Sequence, residues 1–524
     1  MHDKDHLNLH GMHSILSAVG ATVRTALAVA VKTAARRRLA PPPILMAIVA
    51  GWALFVPLNV SAQNAPTEEE VPAETEAPAE AEAPEGEDAP QSGDSSAPAE
   101  AEDDEEPLIE QWRETLLYGI DSQVEELLPV LSSNRVTELN DEVEELLQSS
   151  LNPRLKTKIF EFFMEMDTDV AIDEGVEILE YHRDERPELV RATLSYLRNG
   201  DFELPPEAVE AVRPIAADPY SGFTAEAARV IGEKGGEDDV EALVGALEEA
   251  VDDELRGQLI LALGDIGAPA ALDALVDIAR NDDEARLIRG YAADALGRIG
   301  DPEALDVLKD MVSAEDAIVR AYAVSALSRF DDPETEPTLL AALRDSVWRV
   351  RQFALQGVAR NGMTDAVPAV IYKAEQDPEE RVRSEAFATL VQLGTAKANT
   401  FVEEYLLDSD KPMNDRLAAA AALIEHDLSG SVNVLEKAVE AEWSATQSRL
   451  LGFIARELSQ KEDEALAELY SKFLTHSEPA VQIFGLRGIG RNRVLRLKTK
   501  VEEKSDEGNH PAVRQNAETV LEQL

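Results

Sequence analysis

Arginine is the residue type whose recurrence could do chemistry in this chain. Arg256, Arg289, Arg320, Arg351 and Arg383 each follow an aliphatic residue, at spacings of 33, 31, 31 and 32 residues. A guanidinium stays charged at any working pH and presents a planar fork of donors. A regular row of them can therefore grip an acidic ligand as a basic stripe. Alternatively it can bind the chain's own carboxylates and tie one unit to the next. Asp or Glu stands a few residues before most of these arginines, which favours the second use.

Three further groups could take part in recognition. Tyr291, Tyr322 and Phe353 each lie two residues after a ladder arginine, so stacked units would place them in one column. Such a column is either a partner-binding strip or a filler beside neighbouring alanines, and the filler reading is preferred. Trp348 precedes Arg349-Val350-Arg351 at an expected helix start, where an exposed anchor is expected. Arg487, Arg491, Arg493 and Arg496, with Lys498 and Lys500, form the clearly basic segment beyond residue 62. It suits an anionic partner, an anionic lipid surface or the chain's own acidic stretch, or it merely solvates the last units.

Catalysis finds little to use. There is no cysteine, which excludes disulfides, thiol nucleophiles, thiolate metal sites and a lipid-modified N-terminal cysteine. Beyond residue 62 the histidines are His182, His426, His476 and His510, scattered over more than three hundred residues. No phosphate-cradling loop, nucleophile elbow or dense metal-ligand motif occurs. The expectation is a protein that is not an enzyme, with no metal and no cofactor.

The elements that position the arginines are written in a repeat. Leu263-Gly264-Asp265-Ile266-Gly267 returns as Leu296-Gly297-Arg298-Ile299-Gly300, and loosely as Leu327-Ser328-Arg329-Phe330-Asp331, each seven residues after a ladder arginine. Ala292 and Ala295, Ala323 and Ala326, and Ala354 and Gly357 are small residues where neighbouring backbones must approach, while Gly264 and Gly297 mark repeat positions. Gly267 and Gly300 suit left-handed helix ends. Apolar residues at three- and four-residue intervals, as in Val240, Leu243, Val244 and Leu247, predict helices throughout. Each unit reads as two helices. The first opens at an acid-proline start such as Asp301-Pro302, and the second opens near an acid such as Asp283 or Asp316. About thirteen units fit after residue 106.

The aliphatic-Arg pair, the small-residue helix and the Leu-Gly-x-Ile-Gly ending resemble HEAT-like repeats of the short kind found in phycobilisome lyases. The resemblance covers residues 187–524 well and 107–186 loosely. It implies an all-α fold, an α-solenoid of stacked helix pairs with the second helices lining a concave face. The bilin lyases offer no motif that maps onto residues here. Deoxyhypusine hydroxylase, a related repeat enzyme, holds iron with His-Glu pairs, and no histidine beyond residue 62 is followed by glutamate.

Net charge is −53, from 102 acidic and 49 basic residues, which repels nucleic acid. Residues 1–62 read as an export signal: Arg36-Arg37-Arg38, an apolar run from Ile44 to Val56, and small residues at Val60-Ser61-Ala62. The expected location is the periplasm or the exterior. The alternative is an inner-membrane anchor formed by residues 44–62, the one route by which a membrane would be a partner. Residues 63–106 carry seventeen acidic and no basic side chains among Ala and Pro, the composition of a disordered spacer. Residues 107–186 read as degenerate repeats and 187–524 as the regular solenoid. The leading expectation is a protein-binding scaffold of the cell envelope. A structural or tethering element acting by self-association is the second, and a lyase or isomerase related to bilin lyases the third.

Overall fold

A computed structural model describes residues 105–524, and the export-signal and spacer readings lie outside those residues apart from Glu105 and Glu106. The described chain is all-helical, with twenty-six helices arranged as thirteen consecutive pairs. The first pairs are α1 (Glu105–Tyr118) with α2 (Asp121–Ser133), and α3 (Asn140–Ser149) with α4 (Pro153–Met166). Then follow α5 (Ile172–Glu180) with α6 (Pro187–Asn199), and α7 (Pro206–Ala216) with α8 (Thr224–Lys234). The central pairs are α9 (Val240–Glu249) with α10 (Asp253–Ile266), and α11 (Leu272–Arg280) with α12 (Arg286–Ile299). Next come α13 (Leu305–Met311) with α14 (Ala317–Leu327), α15 (Glu336–Ala342) with α16 (Trp348–Arg360), and α17 (Val367–Gln376) with α18 (Glu380–Leu393). Two more pairs are α19 (Ala396–Leu407) with α20 (Met413–His426), and α21 (Leu428–Glu442) with α22 (Arg449–Leu458). The last are α23 (Ala467–Phe473) with α24 (Pro479–Arg491), and α25 (Lys498–Ser505) with α26 (Pro511–Gln523).

Local chemistry sets the boundaries. Asp301 caps a 3-10 turn at Pro302–Ala304 by accepting from the Glu303 N–H at 2.9 Å, and α13 follows. Asp316 caps α14 by accepting from the Ile318 N–H at 2.7 Å. Asp283 does not act in this way. The N-cap of α12 is Ala285, and Asp283 stays exposed in the turn before it. Gly267 and Gly300 end α10 and α12 at φ of 69° and 70°, a region a Cβ would strain. The first helix opens at Glu105, two residues before the expected start of the repeats, and its first turn tolerates Pro107.

Even-numbered helices stack on one another more closely than odd-numbered helices do, which places the second helices on the inner side of the array. Close approach depends on the small residues. A Cβ on Gly264 would stand 2.8 Å from the Ala295 Cα, and one on Gly297 would stand 2.7 Å from the Ala326 Cα. Ala292, Ala295, Ala323 and Ala326 are all fully buried. One continuous apolar core runs from Leu116 to Val520.

Candidate binding site

The arginine ladder joins one helix pair to the next. Arg256 on α10 forks onto Glu284 before α12, with Nη–Oε distances of 2.7 and 2.8 Å. Arg320 on α14 does the same to Asp345 at 2.8 and 3.2 Å, and Arg351 on α16 to Asp377 at 2.8 and 2.6 Å. Arg383 on α18 reaches Asp415 on α20 at 2.9 Å. The peptide carbonyls of the same aspartates serve as well: Asp345 accepts from Arg351 and Asp377 from Arg383, each at 2.9 Å. Each aspartate thus holds two successive arginines. Arg289 departs from the pattern and turns back to its own pair, donating to the Ala279 carbonyl and pairing with Asp282.

These guanidiniums are occupied. Arg351 is 5 % exposed and Asp377 4 %. Burial pushes the Asp377 and Asp345 carboxyls up, but hydrogen bonds from Arg351 and Arg320 and from backbone N–H groups hold both below the usual carboxylate range. Glu284 is held down chiefly by its bond to Arg256. The ladder therefore offers a ligand no free basic stripe.

The aromatic column also serves packing. Tyr291 lies over Gly257 of the preceding pair and Tyr322 over Gly290, where added Cβ atoms would meet the rings at 3.0 and 2.5 Å. The two rings meet edge-on with centroids 5.9 Å apart, and burial raises the Tyr322 hydroxyl to about 12. Phe353 is half-buried against the same core. Trp348 corrects the expectation of an exposed anchor. It is half-buried, with the Arg349 and Arg381 guanidiniums each 5.2 Å from its ring. Cations from its own and the next pair occupy it.

The basic segment divides. Arg487 and Arg491 on α24, and Arg493 just beyond it, line a groove of about 1070 Å³ together with Arg456 on α22. Asn516, Thr519, Val520 and Gln523 of α26 share the lining, which also holds the carboxylates of Glu462 and Glu522. Arg496 lies outside the groove, 3.5 Å from Glu468. Arg456, missed in the sequence, stands 31 residues before Arg487, one repeat length, and that spacing was its available signal. Arg487, Arg491 and Arg493 are loosely held by the chain itself, whereas Arg456 is paired. Arg487 touches Asn516 at 3.4 Å, Arg491 is 3.7 Å from Glu462, and Arg456 bonds its neighbour Glu457 at 2.7 Å. Arg493 is exposed, at φ 46°, and makes no ion pair among the described residues.

The histidines are used locally. His476 is buried, its Nδ1 accepting from the Glu478 N–H at 3.1 Å at the start of α24, and His510 caps α26 likewise. His182 and His426 lie on other pairs. Among the described residues no group of three His, Asp or Glu could hold a metal, and no helix is long and apolar enough to cross a membrane.

A family model described as spirochaete HEAT repeat protein matches residues 116–520. No curated protein matches the chain. Among solved structures, the complex of CpcE and CpcF of phycocyanin lyase from Nostoc sp. PCC7120 is 19 % identical, with a TM-score of 0.29, over 54 % of this chain and 94 % of that one. Human deoxyhypusine hydroxylase is 19 % identical at a TM-score of 0.24, over 55 % of this chain and 96 % of that one. Kap95p, from a structure of its complex with RanGDP, is 13 % identical at a TM-score of 0.42, over 73 % of this chain and 61 % of that one. At these values the likenesses carry nothing about activity or partners.

Proposed function

The chain belongs to the spirochaete HEAT repeat protein family, and from that premise we propose that it is a non-enzymatic, protein-binding scaffold of the cell envelope. Its grip is the C-terminal groove on the inner helices, where it holds an acidic stretch of a partner protein. The observation that carries this reading is the convergence of Arg456, Arg487, Arg491 and Arg493 against two carboxylates on a chain of net charge −53. Elsewhere the arginines of the regular ladder are consumed by internal pairing, whereas these four are exposed. Charged groups at such a rim steer encounter and set specificity more than they set affinity. The envelope location rests on the export-signal pattern in residues 1–62.

The test is cross-linking in intact cells followed by mass spectrometry, with the wild-type chain and with Arg487→Glu combined with Arg491→Glu. Recurrent cross-links from one protein to α22, α24 and α26, lost in the double variant, are the expected result. Cross-links confined to copies of this chain, or unchanged by the double variant, would overturn it. The side chains altered are exposed, so the fold survives the change.

A further inference from the structure

Twelve large apolar or aromatic side chains are exposed among the described residues, and six of them share one place in the fold. Tyr118 with Ile120, then Leu151, Tyr181, Tyr220 and Val251, stand where the first helix of a pair turns into the second, so that each of the first five pairs contributes. They are 84, 66, 97, 60, 75 and 90 % exposed, in that order. The corresponding turns of the later pairs carry none of the twelve. Single exposed apolar residues are ordinary on any surface. Five consecutive turns that each carry at least one form a row.

Neighbouring turns touch, so the row lies along one edge. Asn152 donates to Asp121 at 2.7 Å across the first two turns, and Arg183 pairs with Asp218 at 2.9 Å across the third and fourth. Helices packed side by side stand about 8–10 Å apart, which sets the rung spacing. A polyproline II segment turns once every three residues and about 9 Å, so its every third side chain meets successive rungs. Flat aromatic rungs such as Tyr118, Tyr181 and Tyr220 suit proline rings, and that conformation costs little entropy to fix.

Charge narrows the occupant. Asp121, Asp218, Asp252 and Asp253 sit in the same turns, which disfavours an anionic lipid surface. Cations gather between the second and third rungs instead. A cavity of about 550 Å³ there is lined by Arg154, Lys158 and Arg186 against the single carboxylate of Glu188. Arg154 and Lys158 have partners in Glu125 and Glu161, while Arg186 is exposed and makes no ion pair among the described residues.

We propose that this edge of the first five repeats binds an extended, proline-rich segment of a partner protein. Apolar side chains at every third residue of the segment rest on the rungs, and a carboxylate of the segment enters the cavity between Leu151 and Tyr181. This surface is separate from the C-terminal groove and stands without it.

The probe is a fluorescein-labelled peptide of five Pro-Ala-Ala triplets with glutamate replacing the first alanine of the second triplet, titrated with the full chain and read by anisotropy. The same peptide with lysine at that position serves as the control of opposite charge. Saturable binding of the acidic peptide is expected, weakened at least ten-fold by Leu151→Asp combined with Tyr181→Asp, and at least three-fold by Arg186→Glu. All three side chains are exposed, so helicity by circular dichroism stays unchanged in these variants. Arg487→Glu combined with Arg491→Glu leaves the titration unaltered. Absence of saturable binding, equal binding of the lysine peptide, or indifference to the rung substitutions overturns the proposal. So does binding to phosphatidylglycerol vesicles that the same substitutions abolish.

Discussion

In α4 and α6 bulky rings fill the space between helix pairs, whereas from α10 to α18 backbones close on glycine and alanine and charges join the units. Phe160 meets Tyr196 at 5.5 Å between ring centroids, and Tyr196 meets Phe202 at 5.3 Å. The Tyr196 hydroxyl donates to the Thr168 carbonyl and accepts from the Ala171 N–H, so its polar end is satisfied inside the core. In the central repeats the same spacing is held by Gly264 on Ala295, Gly297 on Ala326, and the arginine–aspartate chain. Ring-packed pairs need no repeated motif, because many shapes fill a volume. Glycine-packed, arginine-joined pairs need the same residues at the same positions each time.

The contrast can be broken from either side. The largest effect belongs to Phe160→Ala, which empties a fully buried ring site and should cost about 3–5 kcal/mol in chemical denaturation. Next comes Arg351→Ala, which strips a guanidinium from the buried Asp377. Lys373, 3.1 Å from that carboxylate, stays in place. The loss should therefore fall near the lower end of the range for unpairing a buried charge, about 3 kcal/mol. Amide exchange should locate it at the junction of α16 with α18. Ala326→Trp should cost roughly 1–3 kcal/mol by overpacking α14 against α12. A tolerated tryptophan at 326 would sink the close-approach account.

Acid sharpens the difference further. Glu284, Asp345 and Asp377 have carboxyls held below their usual range in the folded chain. The unfolded chain therefore binds more protons as pH falls, and these groups stabilise the fold in full above about pH 5. That contribution is lost as pH drops through 4 and below. Exchange protection measured at pH 7 and pH 3.5 should fall more in α10–α18 than in α4–α6, and an equal fall would contradict the assignment. The smallest effect is Trp348→Ala. An indole between two partly exposed cations contributes about 0.5–1 kcal/mol beyond its packing.

Legibility followed the same divide. Where Arg320, Arg351 and Arg383 recur, the helix pairs could be written down from spacing, but the carboxylates that join them could not, since Arg289 keeps the spacing and turns back to its own pair. Single side chains were less legible still. Trp348 reads as a free anchor in sequence, and nothing local reveals that Arg381, one repeat later, covers its ring. The groove was half visible. Arg487, Arg491 and Arg493 form a charge run, but Arg456 joins them only through the stacking of α22 on α24. Arg496 belongs to the same run and faces elsewhere, since the 3-10 turn at Leu495–Leu497 redirects the chain. The row of exposed rungs could not be seen at all. A leucine in a turn, such as Leu151, looks like any core leucine until its surroundings are known.

The double duty of Asp345 and Asp377 gives the central array a direction. Each carboxylate reaches back to the arginine before it, and each carbonyl takes the arginine after it. A cut between α16 and α17 would strand the positive charge of Arg351 on one piece and the negative charge of Asp377 on the other. The two pieces would bear complementary poles at the break and would find each other again in only one orientation, as magnets do when a bar is snapped.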